Sequence, residues 1–574
     1  MNQSFARDAR GVFPATLALA LLAGFFLRTY LLADQVLMDD EWHGFYYALG
    51  KSPGWLLTHF SIPGATCIPL NFYTWCLGAL GGWSETRLRL PSLICGVLCV
   101  AVCPLLARKI IGSRRAAWLA LLLAVSPILI FYSRICRPYS AVALLGFAAI
   151  LFAAHWLQSG GWRPALMFGV AGVLAVYFHL FAAVTVAAPV LVAIIFHARA
   201  FFRKSPPPSG PPLRQWLWVA AAMSVAGAVL ILPALVHSMQ STFFSIALKG
   251  AFKLESLPRV ALLISGTGSP VLAVLFWLLA VVGAVDLCRR HPWFGVTLAG
   301  LFPLHALALI ASRPDCAQSA IVLTRYCIPL VPVSLLFVAC GLEKVFEYLA
   351  SRVTLRPALQ TFVALAGVAA LVAAGPLPQA YVAPNNFTSH GAYQHRYAPM
   401  DWSHSFHGDL APADFTATIE LRAEEVSHFY RDLGKTPSQR AVVEYPMVIG
   451  DDFSPFYFYQ YFHRRPVIAG YTTGTNFLFG LATGNVYAST YFDQVLSLVE
   501  NPARLKFQNL VSMDDLAAMR MRQVEYIILH KRFEAQLPLF LPPPPGLARL
   551  IFQYQAKLGA PAYEDANIVV FRVK

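Results

Sequence analysis

The chain has 574 residues, of which 57% are hydrophobic and only 13% are charged. Soluble domains carry about a quarter charged residues, so this composition excludes an ordinary soluble protein and indicates a polytopic membrane protein. The net charge of +15 does not indicate nucleic-acid binding, because the basic residues stand in small groups between apolar runs, as in the cytoplasmic loops of membrane proteins.

About eleven apolar runs of roughly bilayer-crossing length follow one another up to residue 376. The first follows Arg7 and Arg10 and has no small-residue cleavage pattern behind it, so we expect an uncleaved signal anchor. Together they predict an α-helical polytopic membrane protein with about eleven transmembrane helices in a domain over residues 1–376. The runs lie at roughly 12–33, 88–107, 116–132, 139–157, 164–179, 180–198, 215–236, 259–285, 292–312, 326–342 and 357–376.

Basic residues are concentrated in one alternating set of connections between these runs. By the positive-inside rule these connections are cytoplasmic, which places the N-terminus inside and everything after about residue 377 outside. We expect a multi-pass protein of a bacterial inner membrane with a periplasmic C-terminal domain. The basic residues of the set are Arg108, Lys109, Arg114, Arg115, Arg163, Arg199, Arg203, Lys204, Arg214, Arg289, Arg290, Lys344, Arg352 and Arg356.

The composition changes in the last part of the chain, over residues 377–574. Charge density rises, and strand-like runs occur at Ala441–Tyr445, Val467–Ala469, Tyr526–Leu529 and Ile568–Val573. Amphipathic helical patterns lie between them, for example over Ile419–Leu433. This pattern predicts a soluble α/β or α+β domain that is large enough to bury its own core.

The first outer loop, at about 34–87, opens with three consecutive carboxylates directly after an apolar run: Asp39, Asp40 and Glu41. Acids are also common at the solvated start of a loop. Beside a membrane segment, however, they are costly unless they are used, which favours a functional role. Such carboxylates can act as a general base on a hydroxyl or bind a divalent cation.

Arginines occur on the outer side as well, where the positive-inside rule does not explain them: Arg89, Arg137 and Arg325. A guanidinium group grips phosphate with two hydrogen bonds, so arginines beside the membrane suit a lipid phosphate. Interfacial snorkelling would explain any one of them alone. Three together, at loops that also carry acids, favour a phosphate site.

Three further residues are candidates because of where they stand. Arg134 shares the short loop of Arg137, and His43 follows the acids closely. His179 lies at the turn between two apolar runs, where a single histidine is more often a packing residue than a catalyst.

The order of several short motifs resembles the GT-C superfamily of glycosyltransferases, of the protein O-mannosyltransferase and aminoarabinose transferase type. The resemblance covers the first 200 residues well and extends to Arg325-Tyr326-Cys327-Ile328-Pro329. The motifs are the Asp40-Glu41 pair, Pro69-Leu70-Asn71-Phe72-Tyr73, Arg89-Leu90-Pro91-Ser92, and Ser126-Pro127 followed by Tyr132-Ser133-Arg134-Ile135-Cys136-Arg137-Pro138-Tyr139.

This resemblance implies a GT-C fold and an inverting membrane enzyme of the hexosyl- or pentosyltransferase class. Such an enzyme moves a sugar from a polyprenyl-phosphate donor to a glycan, lipid or protein acceptor at the outer face. Asp40 matches the catalytic acid position, with Glu41 beside it. The donor phosphate would be bound by Arg137 with Arg89 or Arg325, and Tyr139 belongs to the same motif as Arg137.

The resemblance also allows a divalent metal ion on Asp40 and Glu41, and it implies no other cofactor. The chain departs from the pattern at two positions. Cys67 and Ile68 stand where some members have a basic residue, and His43 stands where aminoarabinose transferases have an arginine.

A lipid-linked sugar flippase or transporter is the alternative from another class. It predicts charged or broken helices near the bilayer midplane and repeat symmetry. Polar residues in this sequence gather at the ends of the runs instead, and no internal repeat is visible, which favours the enzyme. A non-catalytic scaffold would leave the acids and outer arginines unexplained.

Overall fold

The computed structural model divides the chain into two compact units, Met1–Leu32 with Ser52–Pro378, and Ala33–Lys51 with Gln379–Lys574. The first outer loop is therefore shared between the units, since residues 33–51 belong to the second. The structure describes residues 3–30, 32, 41, 48, 51–60, 67–80, 85–206, 210–237, 256–313, 320–352, 357–378, 386–387, 421–422, 426–436, 438, 440–445, 459, 462–463, 465, 467–468, 520, 524–531 and 547–573.

In its described part, the first unit consists of helices. They are α1 (Gln3–Thr29), α2 (Pro53–Thr58), α3 (Ile68–Ala79), α4 (Glu85–Ile111), α5 (Ser113–Val125), α6 (Pro127–Ser133), α7 (Tyr139–Ser159), α8 (Trp162–Phe178), α9 (Ala182–Phe202), α10 (Leu213–His237), α11 (Ser256–Ser265), α12 (Pro270–Arg290), α13 (Pro292–Ser312), α14 (Ala320–Tyr326), α15 (Leu330–Arg352) and α16 (Pro357–Ala373).

Every apolar run marked in the sequence falls on one or two of these helices, which confirms a multi-pass α-helical membrane protein. Within the described residues, six helices are long and apolar enough to cross a membrane, and a seventh span results if the bent pair α5 and α6 is one crossing. Three shorter apolar helices lie within α1, α8 and α16. The run at 259–285 is divided between α11 and α12.

The bend between α5 and α6 measures 57° and has a local cause. Pro127 is the first residue of α6, and a proline inside a helix removes one backbone donor and clashes with the preceding turn. The bend ends the span and directs α6 towards the loop at 134–138, which carries Arg134 and Arg137. The same short stretch of sequence thus makes the bend and presents two of the predicted site residues.

Helix packing in this unit uses small residues and buried apolar faces. α12 and α15 approach closely at Gly283 and Gly341, where a β-carbon on either residue would collide with the backbone of the other helix. α7 is buried on most of its sides, whereas α10 is buried over only 6% of its apolar window. α7 therefore forms the centre of the bundle, and α10 presents most of its surface for lipid.

An ionic network joins α5, α12 and α15 at the end of the bundle where the sequence has its basic connections. Arg115 contacts Asp286 at 3.3 Å and Glu347 at 3.0 Å. Arg290 contacts the same two carboxylates at 2.9 and 2.5 Å, and Arg114 contacts Glu343 at 3.1 Å. These arginines serve to hold helices together, because each is paired with a carboxylate of another helix.

The second unit contains a five-stranded mixed sheet of order β4-β3-β5-β7-β6. β3 is parallel to β4 and β5, while β7 is antiparallel to β5 and β6. The central strand β5 is buried along almost its whole length, as its continuous apolar run requires. The elements are β1 (Asn386–Phe387), β2 (Leu421–Arg422), α17 (His428–Gly434), β3 (Ala441–Tyr445), β4 (Val467–Ile468), β5 (Val524–His530), α18 (Leu547–Leu558), β6 (Tyr563–Glu564) and β7 (Ile568–Arg572).

The four strand-like runs of the sequence fall on β3, β4, β5 and β7. The predicted helix over Ile419–Leu433 is wrong in its first part, because Leu421–Arg422 pairs as β2 with Asn386–Phe387, and the helix begins only at His428. A long-range strand pairing overrode the local helical pattern there.

Candidate active site

Arg137 lies in the loop between α6 and α7, and its backbone is fixed from two directions. Its N–H donates to the Ile135 carbonyl at 2.8 Å, and its own carbonyl accepts from Ser92 Oγ of α4 at 2.8 Å. Pro138 then caps α7. The side chain of Arg137 is buried, so a motif of consecutive residues becomes a guanidinium group held inside the protein.

Arg325 reaches the same region from the opposite part of the sequence. It lies in the last turn of α14, after which the chain turns through Cys327-Ile328-Pro329 into α15. Cys327 N–H donates to the Thr324 carbonyl at 3.0 Å, and Leu330 N–H donates to the Cys327 carbonyl at 2.8 Å. These bonds make a compact turn that fixes the direction of the α14 end.

His179 lies in the turn that joins α8 and α9. Its Nδ1 atom accepts a hydrogen bond from Phe181 N–H at 3.2 Å, and its carbonyl accepts from Ala182 N–H at 2.9 Å. The turn is so short that the imidazole orientation follows from the backbone.

Two tyrosines connect these three residues into one row, which we call the His179 cluster: Arg137, Tyr139, His179, Tyr326 and Arg325. The Arg137 guanidinium lies 5.8 Å from the Tyr139 ring centre, and the Arg325 guanidinium lies 5.7 Å from that of Tyr326. The His179 ring lies between the two tyrosine rings, with centroid distances of 5.8 and 5.9 Å. These are distances at which cation–π and aromatic contacts stabilise a fixed arrangement.

The electrostatics of the cluster follow from its composition. Burial lowers the pKa of His179, and the charges of Arg137 and Arg325 lower it further, to about 3. The imidazole is therefore neutral at physiological pH, while both guanidinium groups keep their charge. The cluster carries two positive charges and a neutral ring between them.

Cys67, which caps α3, also lies within the electrostatic reach of Arg137. Burial raises the pKa of its thiol to about 12, against the opposing effects of its hydrogen bond with the Leu70 backbone and of the Arg137 charge. The chain therefore has a neutral thiol within the electrostatic reach of Arg137.

Arg134 and Arg89 occupy a different place, at the end of α1. Arg134 Nη1 donates to the carbonyls of Leu27 and Tyr30 at 3.2 and 2.8 Å. Arg89 Nη1 donates to the Leu32 carbonyl at 3.4 Å. Both side chains are fully buried and satisfy carbonyls that the last turn of a helix leaves without intrahelical partners.

Arg28, which sequence reasoning did not single out, performs the corresponding task between α1 and α5. It donates to the carbonyls of Leu123 and Ala124 at 3.1 and 3.0 Å and to Ser133 Oγ at 3.2 Å. The exit of α1, from which the acidic loop continues, is thus built on buried arginines.

The structure describes one of the three predicted carboxylates. Asp39, Asp40 and His43 lie outside the described residues. Glu41 is described, belongs to the second unit and is 1% exposed. In the described part of the chain, no group of three or more His, Cys, Asp or Glu residues is arranged to hold a metal ion. Of the Asp40 and Glu41 pair proposed for a divalent ion, the described residues include Glu41 alone.

Two further members of this region were missed by sequence reasoning. Tyr326 follows Arg325 directly, and its position beside a candidate arginine was the available signal. Phe181 supplies the N–H that fixes His179, and its ring contacts that of Tyr326 at 5.7 Å. A backbone donor leaves no mark in the sequence, so Phe181 could be found only from the fold.

Two guanidinium groups whose charges both act on one neutral imidazole can bind an anion. Arginine pairs with phosphate through parallel charge-assisted hydrogen bonds, and aromatic neighbours hold it in one orientation. The arrangement suits a phosphate group that enters at the end of membrane helices.

Comparison with known proteins finds a family model that matches part of the chain and solved structures of similar fold. Residues 68–210 match the sequence model of the family described as dolichyl-phosphate-mannose-protein mannosyltransferase. A search of curated protein sequences finds no significant match. The structure of ArnT from Cupriavidus metallidurans in the apo state is 15% identical and has a TM-score of 0.50, with 99% of this chain and 98% of that chain covered.

The same ArnT bound to undecaprenyl phosphate gives a TM-score of 0.49 at 15% identity, with 98% of each chain covered. The archaeal oligosaccharyltransferase AglB from Archaeoglobus fulgidus, in complex with an inhibitory peptide and a dolichol-phosphate, gives 0.41 at 14% identity, with 91% of this chain and 70% of that chain covered. The family match and the ArnT fold confirm the resemblance predicted from the sequence.

Proposed function

We propose that this chain is a glycosyltransferase of the GT-C superfamily that uses a polyprenyl-phosphate-linked sugar as donor. The observation that carries the proposal is the His179 cluster, in which Arg137 and Arg325 come from distant parts of the chain to the two sides of one neutral histidine. A site with two fixed positive charges suits the phosphate of such a donor. The family match over residues 68–210 and the undecaprenyl phosphate bound by ArnT agree with this assignment.

The reaction follows from the charge that develops during transfer. The acceptor hydroxyl attacks the anomeric carbon, the bond from that carbon to the phosphate oxygen breaks, and its electron pair stays on the phosphate. A phosphodiester with one negative charge thereby becomes a phosphomonoester that approaches two. Arg137 and Arg325 stabilise that growing charge, and Asp40 accepts the proton of the hydroxyl. Attack from the face opposite the leaving phosphate inverts the anomeric centre.

The remaining predicted residues receive supporting roles in this scheme. Glu41 is the neighbour of the base. Arg89 and Arg134 hold the end of α1, because their described contacts are with Leu27, Tyr30 and Leu32. We therefore assign phosphate binding to Arg137 and Arg325, with Tyr139 positioning Arg137.

Membrane placement belongs to the same proposal. The chain is a multi-pass membrane protein, and the basic connections beside Arg114, Arg115 and Arg290 indicate the cytoplasmic side. The N-terminus then lies in the cytoplasm and the His179 cluster at the outer face. In a bacterial inner membrane the second unit would be periplasmic, where it would meet a glycan, lipid or protein acceptor.

Transfer of radiolabelled sugar from defined polyprenyl-phosphate donors tests the proposal with the full chain in detergent or vesicles. We expect Asp40→Asn to abolish sugar transfer, because it removes the carboxylate that accepts the proton. We expect Arg137→Ala to lower the transfer rate about 10²- to 10³-fold, as for the loss of one donor to a developing oxyanion. Arg163→Ala is the matched control, because Arg163 is exposed and stacks on the neighbouring Trp162.

Full activity of Asp40→Asn would overturn the assignment of the base. The absence of transfer from any donor, together with translocation of lipid-linked sugar across vesicles, would overturn the enzyme and favour a flippase. An equal loss in Arg137→Ala and Arg163→Ala would overturn the phosphate site.

A further inference from the structure

His179 has a defined tautomer. Its Nδ1 atom accepts a hydrogen from Phe181 N–H, so the proton of the neutral ring must lie on Nε2. Phe181 is held at φ −64° as the residue that begins α9, and the N–H therefore has a fixed direction. The turn thus presents Nε2–H as a hydrogen-bond donor whose orientation the backbone sets.

No described residue accepts a hydrogen bond from His179 Nε2–H. The described side chains that surround the ring are two tyrosines, at 5.8 and 5.9 Å between centroids, and the two arginines that act on it electrostatically. Burying an N–H group costs free energy unless the group donates a hydrogen bond to an acceptor. The neighbouring positive charges favour an anionic acceptor.

We propose that His179 Nε2–H is the third donor of the phosphate site, contacting a phosphate oxygen of the polyprenyl-phosphate ligand between Arg137 and Arg325. This inference rests on the proposed function and deepens it by naming a ligand-binding residue and its protonation state. The two positive guanidinium charges equal the two negative charges that the phosphomonoester product approaches. A neutral histidine adds a directional hydrogen bond without a third positive charge, which would slow release of the product.

His305 carries its proton on the other ring nitrogen, so the tautomer of each histidine is set by its local contacts. His305 also offers a control for substitutions of His179. Its Nδ1 atom faces the Leu301 carbonyl at 3.0 Å, so the proton lies on Nδ1, and its Nε2 accepts from Thr185 Oγ1 at 3.4 Å. His305 is buried and both of its nitrogens are used within the bundle. It is thus a packing histidine of the same unit.

The test measures binding of farnesyl phosphate, a short lipid phosphate, to the full chain in detergent by calorimetry. We expect His179→Phe, which keeps a ring of similar size, to weaken binding about tenfold or more, the effect of losing one hydrogen bond to a charged group. His179→Gln keeps an N–H near the Nε2 position and should recover most of that loss. His305→Phe should bind farnesyl phosphate as the wild type does.

The outcomes separate this inference from the proposed function. A wild-type protein that does not bind farnesyl phosphate would overturn the phosphate site itself. A wild type that binds, with His179→Phe binding equally well, would overturn the role of His179 alone. If His179→Phe does not fold, nitrogen NMR of the histidine-labelled wild type decides. The Nε2–H signal of His179 should shift when farnesyl phosphate is added, and an unchanged signal contradicts the proposal.

Discussion

His463 in the second unit and His179 in the first are held by the same local contact. In each, Nδ1 accepts the backbone N–H of the residue two positions later, from Arg465 at 3.0 Å and from Phe181 at 3.2 Å. Each ring therefore carries its proton on Nε2. The backbone contact is the same in both histidines, but the groups around their two Nε2–H donors differ.

His463 Nε2 lies 3.6 Å from Oε1 of Glu444, and the other carboxylate oxygen contacts His530 and accepts from Tyr430 OH at 2.7 Å. All four side chains are buried, and we call them the Glu444 cluster. Burial acts to raise the pKa of Glu444, but His530 and His463 together outweigh it and leave the pKa below its usual range.

The difference shows how one local structure can serve stability or binding. In the Glu444 cluster the group that faces the donor is a carboxylate of the same unit, and its contacts join α17, β3 and β5. In the His179 cluster the two described charges that act on the ring are both positive, and the proposed acceptor of its Nε2–H is the phosphate of a ligand. Three predictions test this contrast, beginning with the largest expected effect.

Removing the carboxylate charge by Glu444→Gln should destabilise the second unit by about 3–5 kcal/mol, because it leaves buried partners without their counter-charge. Glu564→Gln is the matched control, since Glu564 pairs with Lys531 at 2.6 Å on an exposed surface and should cost less than about 1 kcal/mol. Chemical denaturation followed by aromatic fluorescence measures both. Similar losses in the two variants would show that the Glu444 cluster is not a centre of stability.

Acid should affect the two clusters in different pH windows. The pKa of His179 falls from 6.5 to about 3 on folding, so the unfolded chain gains a proton first, and stability declines as the pH falls from 6.5 towards 3. Glu444 has a folded pKa below 4.5. Its contribution is complete above 4.5 and is lost as the pH falls through the folded pKa.

Thermal unfolding at about pH 7 and about pH 5 should therefore separate His179→Phe from the wild type. The variant lacks the histidine whose protonation the fold opposes, and it should lose less stability over this interval than the wild type. Identical pH dependence in both proteins would contradict the neutral state of His179.

The smallest effect concerns the backbone donor itself. Phe181→Pro removes the N–H that fixes the His179 tautomer, and proline suits the observed φ of −64°. Phe181→Ala keeps the N–H but loses the ring contacts with Tyr326 and His305. We expect farnesyl phosphate affinity to be several-fold lower in Phe181→Pro than in Phe181→Ala, consistent with one neutral hydrogen bond of about 1 kcal/mol. Equal affinities of the two variants for farnesyl phosphate would mean that the Phe181 N–H is not needed to fix the His179 tautomer.

The sequence alone determined the architecture, because hydrophobic periodicity and run length act locally. The apolar runs became helices, the strand-like runs became β3, β4, β5 and β7, and the motifs around Arg137 predicted the superfamily. The error at Leu421–Arg422 arose because its strand partner at Asn386–Phe387 lies far away in the chain. Local pattern cannot report such a pairing.

Tertiary structure decided which of the predicted arginines meet. Arg89, Arg137 and Arg325 were grouped from the sequence as outer arginines, and Arg134 was a further candidate in the loop of Arg137. Folding directs Arg89 and Arg134 to the carbonyls at the end of α1 and places Arg137 and Arg325 where both of their charges act on His179. The physical reason is that a guanidinium group takes whichever acceptor the fold places within hydrogen-bond reach. That acceptor is set by helix packing, which the order of residues along the chain does not reveal.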